Sequence, residues 1–299
     1  QQIQTHVRVP VYGVGAGARD VHEEGLWIPR AKLYEAGRPN ELLFDIIRHN
    51  ARTKDEVLGD IAAQVSSGKV GAERLQLLCD RHGLDDIDEL SEEIIARSEA
   101  ATRESIRKLR GGTYHGESRF DIPGGAEILL KCALTIDADK GEVLVDFAGS
   151  SGPSPHGVNV VLNYTHAYAT FALRSTLDPE LPNNYGSLKP ISVTAPEGCI
   201  VNAKYPSPVA ARHVVGMYVP MPILKALRQV VPDRVLAEGA GAVWTFQVQG
   251  KNDAGEPFTS AMFNYSGGMG ARRTKDGLGA TCYPTGVAAV PVEVLAAAM

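Results

Sequence analysis

Apolar residues fall at helical spacing in the first third of this chain and at strand spacing in much of the remainder. Leu42, Leu43, Ile46 and Ile47 make one stripe, and Val57, Ile61 and Val65 make a second. Steps of three and four place such residues on one face of an α-helix. Leu75, Leu77 and Leu78 predict a short third helix that stops near Gly83, since glycine tolerates the left-handed conformation that closes a helix. The fourth pattern is the clearest: Ile87, Leu90, Ile94, Ser98, Ala101, Ser105 and Leu109 advance in threes and fours. Glu92, Glu93, Arg97, Glu99, Arg103 and Lys108 lie mostly off that stripe, and Gly111-Gly112 ends it.

Beyond Thr113 the period changes. Residues 128–136 and 143–147 read as strands joined by a polar turn containing Asp137, Asp139 and Gly141. A helix is expected over 163–175, then a loop with Pro179, Pro182, Asn183 and Asn184, then a short strand over 191–194. Residues 209–230 predict a helix from Ile223 on, which Pro220 and Pro222 would kink or split. Residues 243–248 and 258–265 alternate like paired strands around a turn at 252–255, and the segment from Gly267 is glycine-rich and irregular. These patterns predict an α+β fold with mixed sheets. Its helical part covers residues 1–112, with the helices at about 40–110, and its strand-rich part covers 113–299 of the same core.

Composition narrows the function classes. The chain has 299 residues, 35 acidic against 30 basic, so its net charge of −5 offers nothing to attract nucleic acid or an anionic membrane. No apolar run approaches the ~18 residues that a membrane-spanning helix requires. The 4 cysteines, Cys79, Cys132, Cys199 and Cys282, form no CxxC pair. That disfavours a zinc knuckle or a disulfide framework and predicts reduced thiols in a cytoplasmic protein. Arg8, Pro10 and several glycines break the first stretch, so no secretory signal is expected there. The chain opens on Gln1 and closes on an alanine-rich stretch, which predicts a piece of a longer protein.

Asp20, His22, Glu23 and Glu24 offer four metal-binding groups in five positions. Sequence neighbours point different ways on helix or strand, so a solvated turn is the expected outcome, and His6 alone says less. Gly267-Gly268-Met269-Gly270 with Arg272, Arg273 and Lys275 is either an anion-binding nest or a tight turn packed on other segments. The chain has no GxxxxGK[ST], GxSxG or HExxH, and no GxGxxG behind a strand, so an ATP site is not expected in it. Asn50-Ala51-Arg52 and Gly59-Asp60-Ile61-Ala62-Ala63-Gln64 straddle a helix start. Asp60 would cap that helix or lie one turn inside it, with capping and surface pairing the expected roles.

One ordered series of motifs goes further. It runs from Glu23-Glu24-Gly25-Leu26-Trp27-Ile28-Pro29 through Lys32-Leu33-Tyr34, Asn50-Ala51-Arg52, Gly59 to Gln64 and Gly112-Thr113-Tyr114. Next come Val145-Asp146-Phe147-Ala148-Gly149-Ser150 with Asn159, then Asn183, Gly186 and Pro190-Ile191. It ends with Ala195 to Cys199, Asn202, Pro206-Ser207-Pro208-Val209, Gly267 to Ala271, Asp276-Gly277 and Pro291-Val292-Glu293. In this order the motifs resemble the B subunit of the hydantoinase/oxoprolinase family, which also takes in large subunits of ketone carboxylases.

The resemblance implies a hetero-oligomer with a hydantoinase A-like ATPase subunit that phosphorylates a small cyclic amide, or a ketone enolate, with ATP and Mg. The B subunit then completes hydrolysis, or carboxylation in the other branch. It implies Asn50, Arg52, Asp60 and Gln64 as one polar cluster near the substrate and Asp146 as another. A divalent metal is also implied, held by Asp and His residues upstream of the EGLxIP motif. Here His6-Val7-Arg8-Val9 does not reproduce the family's H-x-x-D stretch, so the ligands are expected outside this chain. A third reading, motivated by the amphipathic helix from Ile87 to Leu109, is a non-catalytic scaffold that docks the ATPase.

Overall fold

In the computed structural model, which describes residues 17–51, 53–122, 125–241 and 243–279, the chain forms an α+β fold of two compact units. One unit holds the described residues up to Arg97 together with Ser154–Asn159 and Lys204–Ala211. The other holds Ser98–Pro153, Val160–Ala203 and the described residues from Arg212 on.

The first unit begins with a two-residue antiparallel pair, β1 (Tyr34–Glu35) and β2 (Arg38–Pro39). Helix α1 (Glu41–Asn50) follows, its start fixed by Asn40, whose side chain accepts from the Leu43 amide. The predicted stripe turns Leu43 and Ile47 onto Ile61 of α2 (Lys54–His82), with Ile28, Leu33, Phe44, Val57 and Leu58 packed around them. Helix α2 runs unbroken for 29 residues, where two separate helices were expected. The residues between the two stripes include Gly68 and Gly71 but no proline. Each glycine weakens the helix by about 1 kcal/mol relative to alanine, yet removes no hydrogen bond. The stop falls at Gly83 as expected, with φ at +63° and the Leu84 amide returning to the Cys79 carbonyl.

Helix α3 (Asp88–Arg107) leads into the second unit, where Ser98, Thr102 and Ile106 are buried. The sheet there has the order β3 (Gly112–Asp121), β4 (Glu127–Asp137), β5 (Glu142–Asp146), β6 (Ile191–Thr194). The first three strands are antiparallel, and β5 pairs parallel with β6. A parallel pair needs a crossover, which α4 (Leu162–Leu177) and α5 (Tyr185–Leu188) supply. On β4 the alternation holds residue by residue: Ile128, Leu130, Cys132, Leu134 and Ile136 are all buried. Strand β3 was not expected, because its buried positions include Tyr114 and Ser118 rather than an aliphatic row.

After α6 (His213–Gly216), α7 (Pro220–Leu227) lies against β3 and β4. Pro220 and Pro222 sit in the first turn of α7, where no intrahelical partner for an N–H exists, so they start the helix rather than kink it. The approach is close at Gly116 of β3: a Cβ there would lie 2.0 Å from the Pro222 carbonyl oxygen and 3.0 Å from the Ala226 amide. Strands β7 (Val243–Lys251) and β8 (Pro257–Ser266) form the predicted antiparallel pair.

Helix α4 also buries an ion pair. Arg174 Nη1 lies 2.7 Å from Asp178 Oδ2, with both side chains nearly inaccessible. Nη2 donates to the Leu181 carbonyl at 2.7 Å, while Nε has no hydrogen-bond partner among the described residues. Burial pushes the Asp178 carboxyl above its ordinary value, against the pull of Arg174 and Thr102. Among the described residues no helix is long and apolar enough to cross a membrane.

Candidate functional site

Three segments far apart in sequence meet in the first unit. Residues Val21–Glu23 make a single 3-10 turn, capped by Asp20, whose Oδ1 accepts from the His22 amide at 2.8 Å. The Val21 amide donates to the Pro206 carbonyl at 3.1 Å. Glu24 Oε1 accepts from the backbone amides of Val209 and Ala210. Asn159, fully buried, completes the frame. Its Oδ1 accepts from the Ser154 amide at 2.7 Å, and its Nδ2 donates to the Ser154, His156 and Pro208 carbonyls at 2.9, 3.0 and 3.0 Å. A buried amide with its capacity filled in this way fixes one backbone arrangement.

On this frame stand three aromatic rings. His22, Trp27 and Tyr205 lie with ring centroids 5.6 to 5.7 Å apart in each pairing. His22 Nε2 and the Tyr205 hydroxyl are hydrogen-bonded at 2.8 Å. Trp27 is 59% exposed and Tyr205 67% exposed, so the rings' outer faces are open to solvent. Exposed aromatics held by a satisfied polar frame offer flat apolar area at little entropic cost, together with an imidazole and a phenol hydroxyl as hydrogen-bonding groups.

The four groups from Asp20 to Glu24 do not converge on one point. Asp20 caps its own turn, His22 faces Tyr205, Glu23 accepts from the Arg19 amide, and Glu24 faces Val209 and Ala210. Among the described residues no three of His, Cys, Asp and Glu gather as a metal site. His6 lies outside the described residues.

The other predicted residues are spread over the fold. Asn50 ends α1, exposed, and its side chain donates to the Ile46 carbonyl of its own helix at 2.8 Å. Arg52 lies outside the described residues. Asp60 and Gln64 are exposed on α2, one turn apart and therefore on one face. Capping is not the role of Asp60: the helix begins at Lys54 and Thr53 holds the cap position. With its carboxylate in solvent, Asp60→Asn should leave thermal unfolding within about 0.5 kcal/mol of the wild type. A larger loss in a melting curve would restore a structural role.

Asp146 ends β5 in the second unit, where its Oδ1 accepts from the Ala148 amide at 3.1 Å and the Thr194 hydroxyl at 3.2 Å. Burial, and then the Asp146 charge, push the Cys132 thiol up to about 12, so that thiol stays protonated and inert. The glycine-rich segment is the tight turn rather than the nest. A Cβ on Gly270 would collide with the Ala237 carbonyl and one on Gly277 with the Met269 carbonyl, and the Met269 amide donates to Leu278.

Sequence reasoning missed Tyr205, and it read His22 and Glu24 as metal donors or parts of a solvated turn, with Glu24 also in the first family motif. His22 and Tyr205 are 183 positions apart, and no local period links them.

The hydantoinase B/oxoprolinase family profile matches residues 11–299. A Pseudomonas sp. (strain NS671) relative, provisionally named as the B subunit of a D-/L-hydantoinase, is 32% identical over 88% of this chain and 46% of its own length. The beta subunit of the Pseudomonas jessenii caprolactamase is 27% identical over 89% of this chain and 46% of its own. The crystal structure of the ATP-dependent caprolactamase from that organism superposes with a TM-score of 0.81 at 25% identity, covering 92% of this chain and 48% of that one. An acetone carboxylase shares the fold, with a TM-score of 0.79 at 18% identity over 89% of this chain and 38% of its own. The chain thus spans less than half the length of these relatives.

Proposed function

The chain belongs to the hydantoinase B/oxoprolinase family, and from that premise we propose that it is part of a B-type subunit of an ATP-dependent cyclic-amide hydrolase, opening 5-oxoproline or a hydantoin-like ring. The observation that carries this reading is the joining of two family motifs, Glu24 to Pro29 and Pro206 to Val209, into one framed aromatic surface. The match to a solved ATP-dependent caprolactamase, a protein named for a cyclic amide, supports it.

An unstrained cyclic amide resists water because its carbonyl is a poor electrophile and its nitrogen a poor leaving group. Phosphorylation of the amide oxygen by an ATPase-type partner, with ATP and Mg on that partner, removes the first obstacle. This chain's share is to hold the ring and manage protons. Trp27 and Tyr205 offer faces for a planar ring. The His22 imidazole, oriented by the Tyr205 hydroxyl, takes the proton of the attacking water and returns it to the ring nitrogen as the C–N bond breaks. A second water then hydrolyses the resulting acyl phosphate and releases phosphate. Asn50 on α1 and Asp60 and Gln64 on α2 stay separate polar candidates in the same unit, and Asp146 one in the other. The described residues do not fit the metal that the family resemblance implies, so no step is routed through it.

Purified with its ATPase subunit, the protein should release phosphate from ATP only when a ring from a panel of 5-oxoproline, hydantoin and caprolactam is present. His22→Gln should lower kcat by about a hundredfold without moving the melting temperature. No ring-dependent phosphate release across the panel would sink the hydrolase reading. Incorporation of labelled bicarbonate into acetone or acetophenone would assign the carboxylase branch instead. Full turnover in both His22→Gln and Trp27→Leu would leave this part of the chain a scaffold.

A further inference from the structure

The second unit holds a cavity of about 440 Å³, and none of its lining residues belongs to the candidate site above. It lies between the end of α3, the end of α4 and the loop that follows α7. Its walls are set without a ligand. The Leu109 amide returns to the Ile106 carbonyl at 2.9 Å, and the buried Arg174–Asp178 pair holds the end of α4. In the loop, the Val230 and Val231 amides both donate to the Leu227 carbonyl at 2.8 Å. The Arg234 amide donates to the Val231 carbonyl at 3.0 Å, and Pro232 stiffens the turn between them. A preformed hollow of this volume, with a few polar groups on apolar walls, is the form that small-molecule sites take.

The lining says which molecule fits. Leu109, Leu177, Val230 and Val231 supply apolar area, and Lys108 and Arg234 bring positive charge to its border. Part of each cation's work lies at helix ends, where carbonyls lack partners. Arg234 Nη1 donates to the Leu177 carbonyl at 3.3 Å, and Lys108 follows the last residue of α3. That occupies one of the five N–H groups of Arg234 and accounts for none of the apolar hollow beside it. Nor do neighbouring carboxylates cancel the charge. Lys108 is 3.5 Å from Glu104, and Asp233 pairs with Arg273. Three cations against two carboxylates leave one positive charge in excess. A carboxylate with a short apolar body matches both the charge and the walls. An ammonium of the same size would meet like charge, and a phosphate monoester, at about −1.5 to −2, would overshoot.

We propose that this cavity binds a small aliphatic monocarboxylate, its carboxylate on Lys108 and Arg234 and its chain against the apolar walls. The site stands or falls independently of the hydrolase reading. The probe is hexanoate, titrated calorimetrically into the whole chain, with hexylammonium and hexyl phosphate for comparison. Hexanoate should bind at one site per chain, at least about tenfold tighter than hexylammonium. Lys108→Gln/Arg234→Gln should weaken hexanoate by at least about tenfold. Because Arg234 also holds the Leu177 carbonyl, a second variant leaves both cations in place. Val231→Trp fills the cavity from its apolar side and should weaken hexanoate as strongly.

Wild-type hexanoate affinity in Val231→Trp, or in a double variant that still melts cooperatively, overturns the cavity as the site. Hexylammonium binding as tightly as hexanoate overturns the anionic ligand, and hexyl phosphate binding more tightly overturns the choice of a carboxylate. The absence of saturable hexanoate binding to the wild type overturns the proposal outright.

Discussion

Arg174→Met should destabilise the protein by roughly 3–5 kcal/mol at neutral pH, the cost of leaving a buried carboxylate without its counter-charge. Arg174 and Asp178 are 2.7 Å apart and nearly inaccessible, and the guanidinium also holds the Leu181 carbonyl. Burial already pushes the Asp178 carboxyl upward, with Arg174 the larger of the influences opposing it. The sign of the pH dependence follows. A carboxyl whose value is higher folded than unfolded is most favourable to the fold below the unfolded value near 4. That contribution is lost as pH rises through the folded value. Removing Arg174 raises the folded value further, so the variant's deficit should shrink as the pH is lowered from 7.5 towards 4.5. Asp178→Asn added to Arg174→Met should recover much of the loss at pH 7.5. Denaturant titrations at the two pH values check this; an equal deficit at both, with no gain in the double variant, rules out the buried-charge account.

Gly116→Ala should cost about 3 kcal/mol and lower the melting temperature by about 10 °C. The added methyl would sit 2.0 Å from the Pro222 carbonyl oxygen. The obstacle is backbone at the start of α7 rather than a side chain free to turn, so strand and helix must separate. The control is Gly68→Ala in α2, where a Cβ meets nothing within 4 Å. That change should stabilise slightly, by about 0.5–1 kcal/mol, through helix propensity. Thermal unfolding of the pair is decisive: a Gly116→Ala protein that melts with the wild type means that α7 is not held against β3 by backbone proximity.

These two sites explain what could be read in the sequence and what could not. Leu43 and Ile47, or Ile128 to Ile136, announce their elements because each buries a periodic row of aliphatics against one neighbour. Strand β3 announces nothing, because the side that meets α7 includes Gly116, and the closest packing leaves no hydrophobic signature. The merging of two predicted helices into α2 has a similar cause: Gly68 and Gly71 weaken a helix without ending it.

In the candidate site, the polar letters of the Asp20 to Glu24 segment were visible, but their partners were not. Glu24 serves the Val209 and Ala210 amides, and His22 faces Tyr205, across separations that only the fold supplies. Asp60 was misplaced as a possible cap because the helix start depends on Thr53 and Lys54, where no capping side chain marks it.

The unit that carries the aromatic surface is not continuous in the chain: residues 98–153 and 160–203 interrupt it. During synthesis its helices emerge first, but Asn159 and the Tyr205 to Ala210 segment follow more than a hundred residues behind Glu24. The Trp27 face therefore waits, half built, until the ribosome has delivered residue 210. Ordering of this site should trail the formation of α1 and α2, paced by long-range closure rather than by helix formation.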